Sequence, residues 1–250
     1  MSSRETNLKE KFRIALNSTA KVISDDFDLD KTKSEDKKTK DIISLEIDDL
    51  TNPSDFIRLR AETDSSALKK KFSDDQIYKK NLPSNTSSRS LYNIAEKIRY
   101  EALGGQMLKG IEKNFHENYS EIINRKRKDQ LKTKEDVPMA EAFELYMLKN
   151  FHKIKLNPLT SRMLNFWEKD FENSIERHKE FLMNNIEDQN TYSSKFSQIL
   201  EEWIFSKVMK MTKKRKKIRI KAKTTLQMMI KAVIMKIIKM KTTTRKPKPL

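Results

Sequence analysis

Between Leu91 and Ala102 the residues Leu91, Ile94, Ala95, Ile98 and Ala102 recur at i, i+3, i+4, i+7 and i+11, which places them on one face of a helix. Arg89, Glu96, Lys97 and Glu101 lie off that stripe. The spacing predicts an amphipathic helix facing a core, with Ser87 or Ser88 as its cap. Gly104 and Gly105 are predicted to end it through a positive φ. Ile111, Phe115, Tyr119 and Ile122 then resume an apolar face, so Leu91 to Tyr119 reads as an αα-hairpin.

The same period runs through most of the chain. Leu8, Phe12, Ala15, Leu16 and Ile23 outline an opening helix. Thr51-Asn-Pro53-Ser is a turn and cap for a helix carrying Phe56, Leu59 and Ala67 and ending near Phe72. Met139, Phe143, Tyr146 and Met147 share one stripe of a helix that starts after Asp136-Val-Pro138 and ends by Asn157-Pro158. From Ser161 one longer helix is predicted, with Leu164, Trp167, Phe171, Ile175, His178, Leu182 and Ile186 repeating at about 3.5 residues. Tyr192, Phe196, Ile199, Leu200 and Trp203 form a last amphipathic helix, capped by Asn190.

Two stretches break the pattern. Residues 24–40 are almost wholly charged and read as a solvated insert, and Ile42-Ile-Ser-Leu-Glu-Ile47 has the β-branched content of a short strand. With 3 Gly and 6 Pro in 250 residues, a many-turned β architecture and a glycine-rich nucleotide loop are both excluded. The expected fold is mainly α: a bundle-like helical domain over residues 1–206, followed by a low-complexity tail over 207–250.

The formal net charge of +17 belongs entirely to that tail. Residues 207–250 hold 17 Lys or Arg and no acid, which leaves 53 − 17 = 36 basic against 36 acidic side chains in residues 1–206. Any affinity for nucleic acid or anionic lipid therefore rests on the last 44 residues. Lys213-Lys-Arg-Lys-Lys-Ile-Arg-Ile-Lys-Ala-Lys is a basic patch of nuclear-localisation or nucleic-acid type, and Leu226 to Lys241 has the pattern of a cationic membrane-surface helix.

Chemistry-bearing motifs are scarce. There is no P-loop and no H-E-x-x-H; the absence of Cys removes thiolate metal sites and disulfides, and fits a reducing compartment. His116, His152 and His178 lack metal-ligand spacing and read as helix-face residues. Asp25, Asp26, Asp28 and Asp30 lack the glycine turn and closing glutamate of an EF-hand and read as a solvated run. Asp64-Ser65-Ser66 is read as a helix-start cap. Arg99 and Glu101 are read as salt-bridge formers within or between helices. No catalytic, cofactor-binding or metal-binding residue is expected. No apolar run reaches membrane-spanning length, the start has no signal-peptide core, and the expected location is the cytoplasm.

The wording of the central helix carries a resemblance. Ser90-Leu-Tyr-Asn-Ile-Ala-Glu-Lys-Ile-Arg-Tyr-Glu-Ala-Leu-Gly104 resembles the D-A-x-E-x-x-R-x-E-A-x-G helix of the CobT family of cobaltochelatase subunits, through Ala95, Arg99, Glu101, Ala102 and Gly104. Leu59-Arg-Ala-Glu-Thr-Asp64-Ser-Ser-Ala67-Leu-Lys is similar to the family's R-G-x-A-D-S-x-A-L-R stretch, through Asp64, Ser65, Ala67 and Leu68. Met139-Ala-Glu-Ala-Phe-Glu-Leu-Tyr-Met-Leu-Lys, followed by Trp167, resembles the family's E-E-A-V-A-L-M-V-R-E-K…W segment. Order and approximate spacing agree over roughly residues 5 to 205.

The resemblance implies a subunit of the ATP-dependent cobaltochelatase, a nitrogen–metal bond-forming ligase that inserts Co²⁺ into hydrogenobyrinic acid a,c-diamide in cobalamin biosynthesis. It implies a hetero-oligomeric ring with a CobS-like AAA+ ATPase and a CobN-like large subunit. ATP, Mg²⁺ and Co²⁺ are then used by the complex, and this chain is an assembly module without catalysis of its own. It also implies an acidic linker near residue 207 and a later von Willebrand A-type domain, which is not expected within these residues. Read one nucleotide earlier in an A-rich gene, Val208-Met-Lys-Met-Thr-Lys-Lys-Arg-Lys-Lys becomes Ser-Asp-Glu-Asp-Asp-Glu-Glu-Glu-Glu-Glu. The tail from about Lys207 is accordingly read as an out-of-frame translation of that linker, with neither nucleic acid nor membrane as an expected partner. The nucleotide sequence across the Ser206 codon is the check: a neighbouring frame without a long acidic stretch refutes it.

Overall fold

The computed structural model describes residues 3–27, 52–125 and 133–243. The strand expected over 42–47, the larger part of the charged insert and residues 126–132 lie outside the described residues. Among the described residues the regular structure is helical: α1 (Ser3–Ser24), α2 (Pro53–Phe72), α3 (Asp75–Lys80), α4 (Thr86–Met107), α5 (Lys109–Arg125), α6 (Met139–Phe151), α7 (Pro158–Asn165), α8 (Glu168–Phe171), α9 (Arg177–Asn184) and α10 (Gln189–Thr243). A π turn, Glu172–Glu176, joins α8 to α9. The chain divides into two units, residues 1–201 and 202–250, and α10 passes from one into the other.

Helix starts are set by short polar side chains that satisfy the free N–H groups of the first turn. Asn52 precedes Pro53, and its N–H donates to the Asp55 carboxylate at 3.2 Å. Asp74 accepts from the N–H groups of Gln76 and Ile77, and Asn157 accepts from Thr160 ahead of Pro158. The predicted entry at Pro53 and exit near Phe72 hold. Two predicted caps do not. Asn85, not Ser87 or Ser88, caps α4 by accepting from Ser87 N–H at 2.8 Å. Asp188, not Asn190, caps α10, accepting from both the N–H and the hydroxyl of Thr191.

In the first unit α4 is the central element, packed against α2, α5 and α6. Because neighbours surround it, burial extends beyond the predicted stripe: Tyr92, Glu96, Arg99, Tyr100, Glu101 and Leu103 are buried beside Leu91, Ala95 and Ile98, while Ile94 and Ala102 are half-buried. Phe143 of α6 meets Phe171 of α8 and Phe196 of α10 edge-on, at ring separations of 5.5 and 6.1 Å. At the other end Leu16 and Leu59, flanked by Phe12 and Phe56, seat α1 on α2. The buried face of α1 is Leu16, Ala20 and Ile23; the predicted Leu8 and Ala15 are exposed. On α5 the buried row ends at Ile123 rather than Ile122.

The predicted glycine hinge is absent. α4 runs through Gly104 and Gly105 to Met107, neither glycine has a positive φ, and the break falls at the extended residue Leu108. Gly104 serves close approach instead. A Cβ there would lie 2.2 Å from Leu68 Cδ1, so the missing side chain is what lets α2 and α4 meet.

The single helix predicted over 161–186 is interrupted. Trp167 N–H bonds back to the Leu164 carbonyl at 2.8 Å, closing a tight turn, while its indole Nε1 donates to the Val137 carbonyl at 3.2 Å. Lys134 sits 4.3 Å above the same ring and pairs with Asp170 at 2.6 Å. The ring is thus held by the segment before α6 and pulls the helix out of phase. The wider π turn that follows restores the phase, and Phe171, Ile175 and Leu182 face inward while His178 is half-buried.

Candidate functional site

The polar side chains of α4 build two linked buried clusters. Arg99 is 0% exposed although its head carries a charge. Its Nε lies 3.3 Å from the Glu96 carboxylate, Nη1 donates to the Ile186 carbonyl at 3.2 Å, and Nη2 donates to the Phe72 carbonyl and to Ser73 Oγ. Phe72 is the last residue of α2, where unpaired carbonyls concentrate partial negative charge. One guanidinium therefore closes the end of α2, the linker before α10 and the middle of α4. Glu96 accepts from Ser193 Oγ and lies 3.5 Å from Gln189 Nε2. Gln189 also pairs with both backbone groups of Asp74, the cap of α3.

One turn on, Glu101 is 1% exposed and accepts from Ser65 Oγ of α2 at 2.6 Å and from Tyr119 hydroxyl of α5 at 2.5 Å. Lys97 approaches it at 4.0 Å and His152 Nε2 at 3.9 Å. Burial pushes the Glu101 carboxyl above its ordinary range, opposed by Lys97 and the two hydroxyl donors. Tyr119 is held well above an ordinary phenol, first by burial and then by the Glu101 charge. Asp64, next to Ser65, is 1% exposed and accepts from Asn114 of α5 at 2.7 Å; burial raises its pKa. It lies in the middle of α2, so the predicted helix-start cap is wrong for this residue: it is a cross-helix acceptor.

His152 ends α6 between the rings of Phe115 and Tyr119, and its Nε2 has no hydrogen-bond partner. Burial, with the nearby His116 and Lys97, drives its pKa down from 6.5 to about 4. A base whose folded pKa lies below its unfolded value contributes stability that is complete above pH 6.5 and is lost as pH falls towards 4. At pH 5 the loss from this group is about 2 kcal/mol. Glu101, shifted upwards, acts in the opposite sense, and Lys97, His116 and Glu144 lie near the same groups. Thermal melts of the chain and of His152→Phe at pH 7.5 and pH 5 isolate the term: the variant is expected to lose less on acidification. Equal losses would assign the pH dependence elsewhere.

Of the nine residues that carry the resemblance, Ser65 and Leu68 of α2 meet Glu101 and Gly104 of α4, and Arg99 reaches the end of α2; Asp64 turns to α5 and the Ala95 carbonyl accepts from Tyr192 hydroxyl at 3.4 Å, while Ala67 and Ala102 lie on the same two helices. Sequence reasoning placed Tyr192 on a buried face but missed its hydroxyl bond to α4, and missed Ser193, Gln189 and the burial of His152, whose partners lie far away along the chain. Of the acidic run, Asp26 pairs with Lys70 of α2, Asp25 adopts a left-handed φ of 58°, and Asp28 and Asp30 lie outside the described residues. Among the described residues no group of three His, Cys, Asp or Glu side chains is placed to hold a metal ion. A surface hollow of about 370 Å³ between α6 and α7, floored by Ile154, Leu156 and Leu164, lies apart from these clusters. Chemically the arrangement cross-links helices.

The model of the family described as cobalamin biosynthesis protein CobT matches residues 6–219. The chain belongs to the CobT family. That membership implies a cobaltochelatase-related role in cobalamin biosynthesis. The CobT match takes in all nine motif residues and continues past Ser206 to Arg219, into the basic segment. No solved structure matches the chain. No helix among the described residues is long and apolar enough to cross a membrane.

Proposed function

We propose that this chain is a non-catalytic assembly subunit of the ATP-dependent cobaltochelatase, binding through its helical body to a CobS-like AAA+ ATPase that works in the cytoplasm with a CobN-like large subunit. Co²⁺ and hydrogenobyrinic acid a,c-diamide are then substrates of the complex, with ATP and Mg²⁺ used by its other subunits. In this reading the tail from about Lys207 derives from an acidic linker read in a neighbouring frame.

The observation that supports an assembly role is the burial of three charged side chains of α4. Arg99, Glu96 and Glu101 are at most 4% exposed and are engaged with one another's surroundings, with hydroxyls and with backbone carbonyls. Groups so enclosed cannot meet a tetrapyrrole or a nucleotide. They fix the relative positions of α2, α4, α5, α6 and the start of α10, and so the surface those helices offer a partner. In a pull-down, the full chain and a chain ending at Ser206 should retain the ATPase subunit in equal amounts. Because the body is charge-neutral, capture should fall only modestly between 0.05 and 0.2 M salt, as an order of magnitude less than twofold to threefold. Capture that disappears with the tail, or no capture by either chain, would overturn the assignment.

A further inference from the structure

We infer that the segment from Lys207 onward binds an anionic membrane surface, laying a helical apolar row into the interface while the basic block ahead of it engages the headgroups. The polypeptide carries these residues whichever frame supplied their codons. The inference is also independent of the assembly role, which falls to residues 1–206.

Two features of different kind support it. The first is charge: residues 213–223 hold 8 Lys or Arg in 11 positions, and no acid occurs from 207 to 250. Near an anionic leaflet each such cation strengthens binding by about fivefold. The second is pattern. α10 remains helical to Thr243, and within it Leu226, Met229, Val233, Ile237 and Met240 fall at i, i+3, i+7, i+11 and i+14, a row free of lysine. Lys236 and Lys241 flank that row, while Lys231 and Lys239, with the exposed Met228 and Met235, lie farther round the helix. The two members of the row whose side chains are described, Met229 and Val233, are 63% and 57% exposed. The row spans about 21 Å of helix.

This combination selects among polyanionic partners. Phosphates of RNA or DNA would reward the lysines and leave the apolar row in water, whereas a bilayer interface rewards both. The four lysines within 226–241 keep such a helix in the interface plane rather than across the bilayer. Pairing with a second copy through the row would bring two acid-free cationic segments together, which their repulsion opposes. A basic block and an apolar helix are also the two signals that stable peripheral attachment needs.

The test is co-sedimentation of the full chain with vesicles of phosphatidylcholine alone and with about 30% phosphatidylserine added, at 0.1 M salt. A fluorescent 20-nucleotide RNA is measured in parallel. The serine-containing vesicles are expected to bind at least tenfold tighter than phosphatidylcholine alone. In the variant Met229→Gln with Val233→Gln, which leaves the charge unchanged, vesicle binding should drop about tenfold with RNA affinity within a factor of about two to three, since phosphate contacts do not use the row. In Lys214→Gln with Arg215→Gln and Lys216→Gln, both should fall. Equal binding to the two vesicle types, vesicle binding indifferent to the glutamines at 229 and 233, or RNA held more tightly than vesicles would overturn the inference, the last in favour of a nucleic-acid partner.

Discussion

Replacing Arg99 by alanine is expected to cost the helical body about 3–5 kcal/mol, the range for breaking a buried ion pair from one side. The loss has three parts. Glu96, at 4% exposure, loses its guanidinium partner and is left with Ser193 and Gln189. The carbonyls of Phe72 and Ile186 lose their donor in a place water does not reach freely. The space of the largest fully buried side chain in the chain's described core is vacated. Lysine should rescue little, because a single ammonium cannot replace a planar fork directed at groups from three elements. Adding Glu96→Gln to Arg99→Ala should recover part of the loss by removing the stranded charge, a positive coupling that identifies electrostatics rather than volume as its source. Urea unfolding followed by tryptophan fluorescence reads all four proteins. A loss under about 1 kcal/mol for Arg99→Ala would show that the three elements are held by packing alone.

That result would also explain why a charged residue stands in the CobT pattern where no substrate can reach it. Periodicity ranks positions by average hydropathy and so assigns Glu96 and Glu101 to the outside of α4. Their real positions depend on Ser193, which is 97 residues from Glu96, and on Ser65, which is 36 residues before Glu101. A helix with one neighbouring face is legible from its own stripe; a helix enclosed on several sides is not, because its polar residues are admitted by partners elsewhere in the chain. The same distinction separates the cap assignments. Asn52 precedes a proline inside a turn signal, so the local sequence decides, whereas Asn157-Pro158, read from sequence as the end of the preceding helix, is the start of α7, because a proline is compatible with either boundary. Asn85 competes with Ser87 and Ser88, and Asp188 with Asn190, and there the start depends on where the preceding loop enters. At Trp167 the hydrophobic repeat was legible and the break was not, since the indole's acceptor is the carbonyl of Val137, 30 residues earlier.

The two glycines at the end of α4 should respond to alanine with opposite signs. In a helix interior alanine is favoured over glycine by about 0.8–1.0 kcal/mol, and neither residue has a φ that alanine would resist. At Gly105 the nearest atom to a new Cβ is Glu112 Cβ at 3.4 Å, an ordinary contact, so Gly105→Ala should be neutral or stabilising by up to about 1 kcal/mol. At Gly104 the new carbon would lie 2.2 Å from Leu68 Cδ1, 2.6 Å from Cδ2 and 2.9 Å from Cγ. Leu68 is 0% exposed and enclosed on every side, so it cannot swing clear without disturbing the α2–α4 contact that also brings Ser65 to Glu101. The overlap should exceed the propensity gain, leaving Gly104→Ala destabilised by about 2–3 kcal/mol. Leu68→Ala alone should cost about 2–5 kcal/mol as a cavity. Combined, the two changes fill that cavity with the new methyl group, and the double variant should lose at least about 1 kcal/mol less than the sum of the single losses. Additive losses, or a stabilised Gly104→Ala, would return Gly104 to the role its sequence context suggests, a helix terminator whose neighbours have room to spare.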